Sequence, residues 1–114
     1  MLFQSLALLV SCGGRKGPAE VAEAMLRAAQ ERDYDEMLSY MSPEVQREMN
    51  MAALASMEIV SFSIDEVEYS LDSTMVDLEY TITVKRLHDG ETDVEEDEFE
   101  LMKDVEGRWV IVDM

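Results

Sequence analysis

At Glu58 the spacing of apolar residues changes from that of a helix to that of a strand, and this change constrains the fold more than any other feature. Before it, Val21, Ala22, Met25, Ala28 and Ala29 recur at helical spacing and would bury one stripe of a helix. After it, apolar side chains alternate: Val60, Phe62 and Ile64, then Val67, Tyr69 and Leu71, then Val76, Leu78, Tyr80, Ile82 and Val84. A helical half followed by a strand half predicts an α+β domain, with N-terminal helices packed on an antiparallel meander.

Local signals divide these halves. Pro18 at a first helical position, with Glu20 behind it, opens a helix expected to reach about Arg32. Asp33, with Glu36 three residues on, starts a short second helix whose apolar face is Tyr34, Met37, Leu38 and Met41. Ser42 as N-cap and Pro43 behind it start a third, expected to end near Ser56 or Met57. In the strand half the parity of the apolar positions changes once, which places a β-bulge at Asp65-Glu66 and bends the sheet. Asp89-Gly90 predicts a tight hairpin of two loop residues. That turn sets Arg86 opposite Asp93, Tyr80 opposite Phe99 and Leu78 opposite Leu101. Glu106-Gly107 makes the last turn, before Trp109-Val110-Ile111-Val112. The expectation is a curved antiparallel sheet of four strands in a single α+β domain over residues 18–114.

The first residues carry an address. Met1 to Ser11 is an apolar run well short of the ~20 residues that cross hydrocarbon as a helix, and it fits the apolar region of an export signal. Leu9-Val10-Ser11-Cys12 resembles a bacterial lipobox: two apolar residues, a small one, then cysteine. The resemblance implies that residues 1–12 are a lipoprotein signal segment ending at a lipidated Cys12, with residues 13–17 as a short tether. The alternative, an ordinary N-terminal helix, would be ended at once by Gly13-Gly14. Gly13 is not the aspartate that holds enteric lipoproteins at the inner membrane, so the same resemblance implies an outer-membrane anchor facing the periplasm. With a single cysteine, and that one acylated, the domain has no internal disulfide.

The layout also resembles the nuclear transport factor 2-like superfamily, whose helices close one end of a curved sheet. It is more closely similar to the small bacterial lipoproteins grouped as domain of unknown function 4878. Beside the lipobox, the residues that carry this are Gly17-Pro18-Ala19-Glu20-Val21, Arg32-Asp33-Tyr34, Tyr40-Met41-Ser42-Pro43-Glu44 and Glu106-Gly107-Arg108-Trp109-Val110. The resemblance implies a fold and a location but no activity.

Charge narrows the partners. Residues 1–32 hold four basic and three acidic groups, whereas residues 33–114 hold five basic and 23 acidic ones. A field of that sign repels phosphate backbones, so nucleic acid is excluded as a partner, and cationic partners or simple solubility are favoured. Arg15 and Lys16, beside the anchor, would sit near anionic headgroups.

Catalytic chemistry has little support. The sole histidine, His88, lies beside a hairpin turn, and no Cys/His cluster suits zinc. Residues 89–100 hold eight carboxylates, but strand spacing sends alternate ones to opposite faces. Asp93, Glu95 and Asp97 are the candidate ligands for a hard cation, and a solvated hairpin flank is the alternative. Cone folds of the superfamily sometimes catalyse isomerisation with a tyrosine and a buried carboxylate, and Tyr80 with Asp97 is the pair to test. The ten methionines read as adaptable core filling rather than a copper site. No cofactor is implied. The functional reading is a lipid-anchored, non-catalytic envelope module that binds a small apolar or cationic ligand or a protein partner, and it leaves an oligomer open. The alternatives are a small isomerase or hydrolase-like enzyme with a cone pocket, and an acidic inhibitor or immunity-type protein for a basic partner.

Overall fold

The computed structural model describes residues 16–114, so the lipobox and the lipidation at Cys12 lie outside the described residues. Four helices precede four strands: α1 (Pro18–Gln30), α2 (Tyr34–Ser39), α3 (Pro43–Glu48) and α4 (Met51–Ala55), then β1 (Met57–Tyr69), β2 (Met75–Arg86), β3 (Thr92–Lys103) and β4 (Trp109–Asp113). The strands form one antiparallel sheet in sequence order. Among the described residues no helix is long and apolar enough to cross a membrane.

Each helix starts where a side chain or a proline meets its free N–H groups. Pro18 opens α1, and the Glu20 carboxylate accepts the Gly17 N–H at 2.8 Å. Asp33 caps α2 by accepting from the Glu36 N–H at 3.3 Å, and Ser42 caps α3 through the Val45 N–H at 3.3 Å. The expected third helix is two. Met49 leaves helical geometry, and Asn50 caps a new helix by accepting from the Ala53 N–H at 3.0 Å. An asparagine side chain competes with the helical ladder and restarts it, which spacing of apolar residues alone does not reveal.

The end of α1 ties helices to sheet. Arg32 adopts φ 63, with its N–H on the Ala29 carbonyl and the Asp33 N–H on the Ala28 carbonyl, a Schellman closure without glycine. The Arg32 guanidinium donates to the Met57 carbonyl at 2.9 Å and to Tyr34 Oη at 3.1 Å, which offsets the left-handed backbone. Gln30 Nε2 donates to the carbonyls of Ile59 and Val60, each at 3.2 Å.

The bulge expected at Asp65-Glu66 is present: pairing slips between Ile64 and Glu66. A second slip lies between Ile59 and Ser61, so Ile59, not Val60, turns inward, and Val60 is exposed. Leu71 is likewise not a strand residue; it stands fully exposed in the β1–β2 turn. The β2–β3 hairpin differs from expectation by two residues. Arg86 and Glu91 close a loop of Leu87, His88, Asp89 and Gly90, with Gly90 at φ 74. A loop of this length, rather than a two-residue turn, sets Leu78 opposite Phe99, Tyr80 opposite Asp97 and Val84 opposite Asp93. Because the slip is even, every side chain keeps the face assigned to it.

The core lies between the concave face and the helices. Val76, Leu78, Phe99, Leu101 and Ile111 from the sheet meet Val21, Ala22, Met25 and Leu26 of α1 and Met37 of α2. Phe99 and Met37 are fully buried. Replacing Phe99 by Ala should cost ~3–5 kcal/mol in urea unfolding, whereas Val60→Ala, at the exposed bulge, should stay within ~0.5 kcal/mol.

Candidate functional site

The concave face is organised in rows that follow from the register. Ile64, Tyr80 and Asp97 form one row, Phe62, Ile82 and Glu95 the next, and Ile59, Val84 and Asp93 the last before the β2–β3 turn. Asp93, Glu95 and Asp97 thus share the inner face with Tyr80, Ile82 and Val84, as the alternation of β3 predicts. The strand β4 pairs with β3 only from Glu100 to Lys103. The acidic part of β3 is therefore a sheet edge without a neighbouring strand among the described residues, and charge there opposes edge-to-edge pairing.

Tyr80 and Asp97 are brought together but not as an acid–base pair. The Tyr80 ring stacks on Phe99, with centroids 4.2 Å apart and planes at 15°. Burial, followed by the charges of Asp97 and Glu95, pushes the Tyr80 hydroxyl up to about 12. Asp97 is exposed, and its Oδ1 accepts the N–H of Glu98 at 2.8 Å. Among the described residues no hydrogen bond joins the two side chains, and the carboxylate is not enclosed by apolar walls as a raised-pKa base would be.

The candidate cation ligands do not converge. Asp93 is held in an ion pair by Arg86, which also contacts Asp89 at 3.2 Å. Among the described residues no three His, Cys, Asp or Glu side chains are placed to hold one metal ion. His88 is an exposed loop residue, 3.4 Å from Asp89.

On the convex face the same register aligns Glu66, Glu79 and Glu98 in one row and Glu68, Asp77 and Glu100 in the next. Like charges directly opposite oppose pairing. Glu79 shows it: repulsion from Glu66, then desolvation, then Glu98, Asp65 and Glu68, raises its pKa.

A groove of about 810 Å³ lies where the helices meet the edge of β4. Tyr40 to Ser42 run along that edge as an added strand: the Ile111 N–H donates to the Tyr40 carbonyl, and the Ser42 N–H donates to the Ile111 carbonyl, both at 2.9 Å. Gln46 Nε2 braces this segment through the carbonyls of Leu38 and Met41, at 2.9 and 3.0 Å. Met41, Pro43, Met102, Trp109, Val110 and Val112 give the groove apolar walls, and Lys16, Lys103 and Arg108 stand at it. The Lys103 ammonium lies 5.3 Å from the centre of the Trp109 ring. Sequence reasoning missed this groove. Glu106-Gly107-Arg108-Trp109 marks its turn, but the contact of Met41 with Ile111 has no local signal.

Tyr80 supplies a test of the inner face. Its hydroxyl should titrate near 12 in ultraviolet absorbance, a component absent from Tyr80→Phe. Asp97→Asn should lower that value yet leave it above 10, because burial is the larger cause. The folded state holds this proton more tightly than the unfolded chain, so stability from Tyr80 is complete below about pH 10 and is lost as pH rises towards 12.

No family model matches the chain, and no curated protein matches it. Solved structures do. A ketosteroid isomerase-like protein from Erwinia carotovora atroseptica aligns at a TM-score of 0.63 and 15% identity, over 80% of this chain and 85% of that one. A nuclear transport factor 2-like, potential transfer protein, TraM, of the Gram-positive conjugative plasmid pIP501 aligns at 0.57 and 12% identity, over 84% and 87%. A putative polyketide cyclase from Pseudomonas putida aligns at 0.53 and 14%, over 82% and 88%. Helices closing a curved antiparallel sheet, in the same order and over most of each chain, give this protein the nuclear transport factor 2-like fold.

Proposed function

We propose that the chain is a lipid-anchored module of the cell envelope, held by Cys12 and facing the periplasm from the outer membrane, with a binding rather than a catalytic role. The observation that carries the non-catalytic part is the filled concave face. Where an enzyme of this fold would need a pocket, Phe99, Leu78 and Met37 are fully buried and Tyr80 stacks on Phe99. The carboxylates near Tyr80, Asp97 and Glu95, are exposed to water, and a solvated carboxylate lacks the desolvation that makes a strong base. The anchor rests on Leu9-Val10-Ser11-Cys12 after an apolar run too short to span a bilayer. The resemblance to lipoproteins of domain of unknown function 4878 implies the same location and is silent on activity.

A second reading has its own support. The two carboxylate rows of the convex face, with the acidic edge of β3, form a surface complementary to a basic protein, as an inhibitor or immunity-type protein would require. Binding through that surface would weaken steeply with salt, because exposed charges are screened beyond ~10 Å at 0.1 M.

The anchored reading is tested in cells given a labelled fatty acid. The parent chain should incorporate the label and float with membranes, and Cys12→Ala should do neither. Equal labelling of both, or a soluble parent chain with an uncut N-terminal segment, would remove the anchor.

A further inference from the structure

We propose that the end of the sheet carrying the β1–β2 and β3–β4 turns is a bilayer-contacting face, which seats this domain against phospholipid. An antiparallel meander places those two turns at one end and the β2–β3 turn at the other. Each of the two turns presents a large aliphatic side chain to water with nothing covering it: Leu71 is 108% exposed and Val105 104%. The turns are drawn together, since the rings of Tyr69 and Trp109 meet edge to face with centroids 6.1 Å apart. Tyrosine and tryptophan behind exposed aliphatics, with Lys103 over the indole, are the side chains that favour the boundary between headgroups and acyl chains.

A further observation selects lipid as the occupant. Lys16 stands at the groove with Lys103, Arg108 and Trp109, and the four residues from Cys12 to Lys16 reach at most ~14 Å. An acyl group on Cys12 would thereby be held to this side of the domain. Charge does not draw this end to a bilayer: Lys103 and Arg108 stand among Asp72, Asp104 and Glu106, and Arg108 pairs with Asp104 at 3.0 Å and with Glu106 at 2.8 Å, so the contact is made by the apolar and aromatic side chains. The choice of occupant rests on the anchored reading.

The experiment separates this orientation from native acylation. The full chain is coupled through Cys12, its one cysteine, to a maleimide-headgroup lipid in vesicles of phosphatidylethanolamine and phosphatidylglycerol. Trp109, its one tryptophan, is then read against lipids brominated high on the acyl chain. Insertion of the turns to interfacial depth should quench Trp109 about twofold, and the double variant Leu71→Asp, Val105→Asp should stay coupled and folded but lose the quenching. An unquenched parent overturns the proposal, and so does equal quenching of parent and variant, which would assign it to the N-terminal apolar segment. An unquenched parent that sediments as a dimer, with the double variant monomeric, gives the face to a second copy instead. Failure of fatty-acid labelling in cells would remove the native anchor without changing any of these readings.

Discussion

The structure depends on the burial of one face of a bent sheet beneath the N-terminal helices, α1 foremost. A flat sheet would meet α1 along a narrow strip. Slips in pairing at Val60 and Asp65 curl β1, so that Ile59, Phe62 and Ile64 turn in with the inward residues of β2. Val76, Leu78, Phe99, Leu101 and Ile111 then pack with Met25 and Met37 in one buried cluster. Unbranched methionine suits this place, because it adapts to the changing width of a curved groove. The carbonyls of Ile59 and Val60, at the first slip, are met by Gln30, so the bend leaves these polar groups satisfied.

The fold alone does not assign an activity. Here the polar inner residues, Asp93, Glu95 and Asp97, lie on β3 beyond the reach of β4. They face water rather than a pocket. The exterior carries carboxylate rows along the convex face and around the β2–β3 hairpin, and exposed aliphatic tips among charged residues at the other end.

Much of the fold was legible because periodicity and caps are local. The switch at Glu58, the bulge at Asp65, the caps at Asp33 and Ser42 and the inward set of β2 all follow from neighbours in sequence. The register of the β2–β3 hairpin did not. Asp89-Gly90 fits either a two-residue turn or the end of a four-residue loop, and both keep the same parity, so apolar matching cannot tell them apart. Arg86 still reaches Asp93 and Tyr80 still meets Phe99, as diagonal rather than direct neighbours. The break at Asn50 was hidden because a helix-compatible run of alanines follows it. At the candidate site the shared face of Tyr80 and Asp97 was legible, but the exposure of Asp97 was not, because it depends on where β4 stops. The groove beside β4 arises from Tyr40 to Ser42 meeting Ile111, a contact between residues far apart in sequence.

The most direct test of the filled cone is nuclear magnetic resonance of the folded chain with labelled methionine methyls and aromatic rings. The Met25 and Met37 methyls and the Phe99 ring should show no cross-relaxation with water, and their signals should not move when a steroid-sized apolar compound is added. Water contact at Met37 and Phe99, with saturable shifts on adding the compound, would reveal a hollow interior and contradict the non-catalytic reading.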